Sequence, residues 1–168
     1  MKILRNTLII SLIMLFFGSC CAQNKKKSFL AKYEFEDFSQ FNGINMFFRG
    51  CDKEGNYIIF GYAPYLINDT LRTGSYIVIL DKKNYKAIDT RLILTGDIDT
   101  IKLQKLAQTF IKYEIPRIEV DIVGNVFVYL KDVETLALVR FFNESELQKR
   151  SQEMRWIKVK DNWYKPKY

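Results

Sequence analysis

The segments GCDKEGNYIIFGY (residues 50–62) and EVDIVGNVFVYL (residues 119–130) place the same turn-and-strand pattern at two points of the chain. In each, an aspartate is followed three residues later by a glycine, then by an asparagine and an apolar run. An Asp side chain can accept hydrogen bonds from backbone N–H groups just ahead of it, and glycine readily adopts positive φ. The pattern therefore predicts two β-hairpins. Their turn residues are Asp52, Gly55 and Asn56 in one and Asp121, Gly124 and Asn125 in the other.

Turns of this D-x-x-G-N form resemble those of β-propeller blades. A propeller needs at least about four blades of about four strands each. A chain of 168 residues has room for far fewer turns. We therefore expect ordinary hairpins of an antiparallel sheet.

Other segments extend this series of hairpins. The pair Asn42 and Gly43 predicts a type I′ turn between YEFEDFSQF (33–41) and INMFFRG (44–50), although EDFSQF (36–41) fits a helical turn equally well. The remaining predicted strands are SYIVIL (75–80), YKAIDTRLIL (85–94), Arg117 to Asp121, Val126 to Leu130, Thr135 to Phe142, and a last strand in RWIKVKDNWYKPKY (155–168) that turns at Asp161 and Asn162.

Two segments have helical patterns. Between Asp99 and Tyr113 the apolar residues fall on one stripe, which predicts an amphipathic helix from Ile101 to Lys112 with Asp97 or Asp99 as its N-terminal cap. A second, mostly polar helix is expected to begin at Asn143 and to lie on the surface. The stripe of the first helix consists of Leu103, Leu106, Ala107, Phe110 and Ile111.

These elements predict an α+β domain over residues 29–168. We expect a mainly antiparallel sheet of about seven strands built from sequential hairpins, one long amphipathic helix packed on it, and a short second helix. Hydrophobic residues make up 48% of the chain and aromatic residues 15%, which is typical of a packed core.

The N-terminus has the pattern of an export signal. Lys2 and Arg5 precede an apolar run from Leu8 to Phe17, which is shorter than the roughly 20 residues that span a membrane. The following FFGSC (16–20) resembles the lipobox of bacterial lipoproteins, with Phe17 where that motif prefers leucine. The resemblance implies that residues 1–19 are a removed signal peptide and that Cys20 carries acyl chains that bind a membrane. Residues 20–28 would then be a tether.

Other kinds of processing remain open. Residues Cys20 to Ala22 also fit an ordinary signal peptidase site, which would give a secreted soluble protein. An uncleaved membrane anchor is a third reading. In the lipoprotein case the domain lies in the cell envelope on the periplasmic side.

The composition excludes several kinds of chemistry. The chain has no histidine, so Ser-His-Asp and Cys-His catalysis are excluded. With three cysteines, two of them at the signal boundary, a thiolate metal site is not expected, and no nucleotide-binding glycine motif occurs. We expect no cofactor, no metal and no catalysis. Carboxylate chemistry remains as an alternative, with Glu119 and Asp121 as a candidate pair, although turn formation and a solvated sheet face explain both residues more simply.

Two further side chains are candidates for modification or reaction. Thr70, in the triplet DTL (69–71), is similar to an O-glycosylation acceptor of some Gram-negative envelopes. Cys51 lies between Arg49 and Lys53, which could activate a thiol. A small half-buried side chain is the reading that we favour for Cys51.

The C-terminal segment is the most basic part of the folded domain. Residues 149–168 carry seven basic and two acidic side chains, whereas residues 28–148 carry 14 basic and 17 acidic ones. Basic and aromatic side chains together can bind an anionic partner, and export argues against nucleic acid. Alternatively, the lysines only keep a sheet edge soluble. The candidate partner-binding residues are Arg155, Trp156, Lys158, Lys160, Trp163, Tyr164 and Lys165.

These observations predict a lipid-anchored, non-catalytic binding module that acts on a protein or an anionic envelope component. An immunity or inhibitor protein is one concrete form. The alternatives are a carboxylate-dependent hydrolase of an envelope polysaccharide and an accessory subunit of an envelope assembly.

Overall fold

The computed structural model describes residues 24–67, 70–93 and 99–168. Within these ranges, residues from Glu36 onward form one compact unit that contains a nine-stranded antiparallel sheet. The strands are β1 (Asn45–Cys51), β2 (Tyr57–Ile67), β3 (Thr70–Leu80), β4 (Ala87–Leu92), β5 (Arg117–Val120), β6 (Val126–Tyr129), β7 (Leu136–Arg140), β8 (Trp156–Lys160) and β9 (Trp163–Pro166). Their order is β4-β3-β2-β1-β5-β6-β7-β9-β8, so β4 and β8 are the edge strands.

The predicted α+β class is confirmed, but the number of strands is not. We expected about seven strands, and the sheet has nine within the described ranges. One reason lies at the C-terminus, where we counted a single last strand. The chain forms two strands there, β8 and β9, on either side of Asp161, whose φ of 42° allows a tight reversal.

Both D-x-x-G-N segments form the predicted hairpin turns. In the turn between β1 and β2, Asp52 Oδ1 accepts a hydrogen bond from Asn56 N (2.8 Å), and Asp52 Oδ2 accepts one from Asn56 Nδ2 (3.0 Å). In the turn between β5 and β6, Asp121 makes the same two contacts with Asn125, at 2.9 and 2.8 Å. The glycine of each turn has positive φ, 84° at residue 55 and 103° at residue 124. Local chemistry therefore determined both turns.

The predicted hairpin at Asn42 and Gly43 is wrong. The chain before it forms a 3-10 turn at Ser39–Phe41, as the alternative reading of this segment allowed. Asn42 has φ −52° and ψ 126°, and Gly43 has φ 75°, which are the angles of a type II turn. A type I′ turn would need positive φ at both residues.

Helix α1 covers residues 24–33 and belongs to a separate N-terminal unit that ends at Phe35. We expected a tether as far as Ser28, and its residues from 24 onward are helical instead. The proposed signal peptide, Cys20 and the first tether residues lie outside the described ranges.

Helix α2 (Thr100–Ile111) is the predicted amphipathic helix, but its 12 residues make it short rather than long. Asp99 caps it by accepting a hydrogen bond from Lys102 N at 3.0 Å, and the other candidate cap, Asp97, lies outside the described ranges. Its buried residues are Leu103, Leu106, Ala107 and Phe110. Burial of this stripe against the sheet stabilises the helix more than its intrinsic propensity does.

Helix α3 (Glu144–Ser151) begins where the sequence predicted. The Asn143 side chain accepts a hydrogen bond from Glu146 N at 3.0 Å. The helix buries none of its residues, so it lies on the surface as expected.

The two faces of the sheet differ. Helix α2 packs on the inner face, where Gln104 Nε2 donates to Thr90 Oγ1 at 2.9 Å. Thr90 is paired with Val78, and buried residues continue across this face to β7. They are Met46, Ile59, Val78, Ile118, Val128 and Leu138. We call the opposite side of the sheet the outer face.

Candidate binding surface

A row of directly paired residues crosses the outer face from β3 to β6. Phe60 is paired with Ile77 on one side and with Phe47 on the other, and Phe47 is paired in turn with Arg117. Arg117 is paired with Tyr129. Side chains of paired residues lie close together on the same face, so register alone brings apolar, aromatic and cationic groups into one surface.

Three rings of this surface are in mutual contact. The Phe47 and Phe60 centroids are 5.0 Å apart, Phe60 and Tyr62 are 5.3 Å apart, and Phe47 and Tyr62 are 6.2 Å apart. The interplanar angles are 40°, 76° and 40° respectively, so the rings do not form a flat platform. Phe47 and Phe60 are half-buried, and Tyr62 is 40% exposed.

The guanidinium of Arg49 lies over this group. Its Cζ is 5.8 Å from the Phe47 centroid and 5.9 Å from the Phe60 centroid. Within the described part of the chain, the structure gives Arg49 these two ring contacts and no ion pair or hydrogen bond from its side chain. We call Arg49, Phe47, Phe60 and Tyr62 the outer-face cluster.

A β-bulge lies at Arg49, beside this group of rings. The β1–β2 register shifts between Phe48 and Gly50, so that Phe48 is paired with Ile59 and Gly50 with Ile58. Gly50 has φ 114°, a conformation that favours glycine. Arg49 shares the face of Phe47, two residues before it, and the bulge at Arg49 is where the register changes.

The neighbouring cation, Arg117, donates a hydrogen bond from each of its three guanidinium nitrogens. Its Nη2 donates to Glu119 Oε2 at 2.6 Å, its Nε donates to Asn45 Oδ1 at 3.0 Å, and its Nη1 donates to Val133 O at 3.1 Å. Its Cζ lies 4.4 Å from the Tyr129 centroid. Glu119 therefore neutralises Arg117, while the charge of Arg49 is left without a counterion in the described residues.

The candidate carboxylate pair has structural partners. Glu119 holds Arg117, and Asp121 accepts hydrogen bonds from the backbone of Val123, Gly124 and Asn125 at 2.9 to 3.0 Å. Strand β5 ends at Val120, so Asp121 belongs to the turn rather than to a strand shared with Glu119. Among the described residues, no group of three or more acidic or cysteine side chains is placed to hold a metal ion.

The fold separates the candidate partner-binding residues of the C-terminal segment into exposed and buried ones. Arg155, Lys158 and Lys160 are exposed. Trp163, in contrast, is 1% exposed and packs edge-on against Phe38, with ring centroids 6.3 Å apart. The prediction that Trp163 contacts a partner is therefore corrected: it is a core residue, because β9 pairs with β7 inside the sheet.

The other tail residues lie at the sheet edge. Trp156 and Tyr164 are half-buried against Phe141, with centroid distances of 5.2 and 5.5 Å. Lys158 is paired with Tyr164, and the half-exposed Lys165 is paired with Ile157. Strand β8 is an edge strand, and lysines on such strands discourage pairing with other chains. The edge position thus favours the solubility reading of these lysines.

The two modification candidates are both accessible. Thr70 is exposed at the start of β3. Cys51 is exposed at the end of β1 and is a free cysteine, so the expectation of a half-buried side chain is wrong. The bulge at Gly50 lies directly before it, and Cys51 is still paired with Tyr57 of β2.

The outer-face cluster is not apparent from the sequence alone. Its signal was present as aromatic and basic residues two apart in adjacent predicted strands, Phe47 with Arg49 and Phe60 with Tyr62. Residues two apart share a strand face. Only the register Phe47↔Phe60 brings the two pairs together, and that register depends on the bulge.

Comparison with protein-family models, with curated proteins and with solved structures finds no match. None of the helices in the described ranges is long and apolar enough to cross a membrane.

Proposed function

We propose that this chain is a non-catalytic binding module of the cell envelope. It is exported, held on a membrane by acyl chains on Cys20, and binds its partner through the outer-face cluster. The observation that carries the binding part is the cationic Arg49 over the half-exposed Phe47–Phe60–Tyr62 group.

The composition of the cluster supports binding. Tyrosine and arginine are enriched among residues that dominate interface energies, and aromatic residues are enriched at interface cores. The rings are already packed against one another, so association would order few additional side chains. Preorganised side chains reduce the entropy lost on binding.

The placement of the carboxylates gives no support to the hydrolase alternative. Glu119 is paired with Arg117, and Asp121 closes a turn. Both side chains therefore have a role in the fold.

The anchoring part rests on the N-terminal sequence pattern, and fatty-acid labelling tests it. Cells that produce the full-length chain should incorporate labelled palmitate into it. Cys20→Ala should abolish incorporation, whereas Cys51→Ala should not. Label that persists in Cys20→Ala, or that is never incorporated, would contradict the lipid anchor.

Photo-crosslinking in these cells tests the binding part. A benzoylphenylalanine at position 62 should form a covalent adduct with a protein or envelope component. The matched control is position 101, because Ile101 is 62% exposed on α2, which packs on the opposite face. Excess unmodified chain should compete the adduct away. No adduct at position 62, or equal adducts at both positions, would contradict the proposal.

A further inference from the structure

Arg49 has unused hydrogen-bonding capacity. A guanidinium has five N–H donors in a planar fork. The described chain provides Arg49 with ring contacts but no acceptor, whereas Arg117 on the next strand uses its Nε, Nη1 and Nη2 donors. The fork of Arg49 is therefore available to a ligand.

The aromatic rings prepare this guanidinium for binding. Phe47 and Phe60 lie at similar distances from its Cζ, 5.8 and 5.9 Å, so the cation is close to both ring faces. The Arg49 side chain is exposed, which leaves its N–H donors accessible. A carboxylate matches these donors with two parallel hydrogen bonds.

We propose that the outer-face cluster binds a carboxylate side chain of a protein partner, which pairs with Arg49 while neighbouring apolar side chains of that partner contact Phe47, Phe60 and Tyr62. This inference rests on the proposed function and specifies the chemistry of its site.

Charge complementarity supports an acidic group. Glu119, on the nearby strand β5, forms an ion pair with Arg117, with Oε2 2.6 Å from Nη2. It therefore does not neutralise Arg49. The cluster therefore has a net positive charge among apolar rings. A carboxylate placed there is partly shielded from water, which strengthens its attraction to the guanidinium.

The ring geometry favours a protein over an acidic glycan. Sugar rings stack on flat, open aromatic faces, but these three rings are inclined to one another by 40° to 76°. Arg49 also lies over two of them. Inclined rings suit interdigitating apolar side chains, as in the packed core of a protein interface.

Peptide titration of the isotope-labelled, lipid-anchored full chain in detergent micelles tests this inference by NMR. The probes are acetyl-Leu-Glu-Phe-amide and its glutamine counterpart, acetyl-Leu-Gln-Phe-amide. The glutamate peptide should shift the Arg49 Nε–H signal and the backbone amides of β1 and β2. The glutamine peptide should bind on the order of tenfold more weakly, because it lacks the charge.

Two variants complete the experiment. Arg49→Gln should remove the preference for glutamate, with unchanged amide signals in β6 and β7 as the check on folding. Arg155→Gln, at another exposed arginine, should keep the preference. Equal binding of the two peptides, or signals that move only in β8 and β9, would overturn the inference.

Titration with a glucuronic acid oligosaccharide tests whether the partner is an acidic glycan rather than a protein. If it moves the Arg49 signal at lower concentration than the glutamate peptide, the protein partner is wrong. If the position 62 adduct forms but neither probe prefers Arg49, the binding function stands and carboxylate recognition fails. If that adduct is absent, the function itself fails.

Discussion

Among single residues, Asn125 combines complete burial with several side-chain hydrogen bonds. It is fully buried, and its Nδ2 donates to Asp121 Oδ2 at 2.8 Å and to Glu146 Oε2 at 3.0 Å. Its Oδ1 accepts from Phe142 N at 2.9 Å. One side chain thus connects the β5–β6 turn, the end of β7 and helix α3. Asn56, at the equivalent place in the other turn, is only half-buried.

These two asparagines form a matched pair for mutation. Asn125→Ala should lower the free energy of unfolding by about 2–4 kcal/mol, because it leaves several buried polar groups without partners. Asn56→Ala should lower it by about 1 kcal/mol, since water can replace the lost contacts. Urea unfolding of both variants measures the difference. Equal losses would show that burial of the turn does not matter.

Tyr76 is a buried residue with an unusual hydroxyl. The side chain is fully buried, and its hydroxyl has no hydrogen-bond partner among the described residues. A Cβ added at Gly61 would clash with that hydroxyl, so glycine at position 61 makes room for the ring. An unpaired buried hydroxyl destabilises the folded state.

Tyr76→Phe should therefore keep or raise the free energy of unfolding at pH 7, by up to about 1 kcal/mol. Thermal or urea unfolding measures this change. A loss greater than about 1 kcal/mol would mean that the hydroxyl has a favourable partner.

The same residue predicts a loss of stability at alkaline pH. Burial raises the pKa of the Tyr76 phenol above its ordinary value of 10.0. Below pH 10 both the folded and the unfolded chain hold the proton. Above it the unfolded chain releases the proton first, so stability falls by up to about 1.4 kcal/mol per pH unit. Tyr76→Phe should reduce the slope of stability between pH 10 and 11, and an unchanged slope would contradict this assignment.

Single residues also show what sequence can and cannot predict. Asp52 and Asp121 were predicted as turn residues because their partners lie within four positions along the chain. Trp163 was misassigned because its ring contact with Phe38 joins residues far apart in sequence. Burial of that kind depends on strand order, which the sequence does not display.

Among the secondary-structure elements, the β1 bulge is the link between fold and proposed site. Gly50 has φ 114°, and a Cβ added there would meet nothing within 4 Å. A larger residue at position 50 would therefore destabilise the fold through its strained backbone conformation and not through contacts with neighbours. Arg49 lies at the bulge and over its rings, so the geometry of the bulge should control the direction of the guanidinium.

Gly50→Ala should lower the free energy of unfolding by about 1–3 kcal/mol and shift the Arg49 Nε–H signal. Gly55→Ala is the matched control, because φ is 84° there and the residue lies in the next turn. It should lose stability without moving the Arg49 signal. Denaturant unfolding and NMR provide the two measurements. An unmoved Arg49 signal in Gly50→Ala would show that the bulge does not orient the side chain.

Secondary-structure elements were predictable where the residues that determine them are close together in the sequence. Helices α2 and α3 begin at side-chain caps, Asp99 and Asn143, which the sequence displays directly. The Asn42–Gly43 pair was misread because a strand before it was assumed, and the chain forms a 3-10 turn there instead. The outer-face cluster was missed for a related reason, since register and bulge position are tertiary properties.

For the molecule as a whole, charge and apolar surface are distributed differently over the inner face, the β8 edge and the outer face of the sheet. The inner face carries the buried residues of the core, and α2 packs on it over β1, β3 and β4. The basic C-terminal hairpin lies at the β8 edge, a position that favours the solubility reading of its lysines over partner binding. The outer face over β1 and β2 retains half-exposed rings and an arginine that has no counterion among the described residues, and no role in the core explains either.

Hydrogen exchange can locate the occupied surface in the intact protein. Exchange of the full-length chain would be measured in membranes isolated from the producing cells and again after detergent purification. Binding through the outer face predicts slower exchange in the membranes within residues 45–62 and no change within residues 155–168. Equal exchange of residues 45–62 in both samples, or protection confined to residues 155–168, would contradict binding through this face.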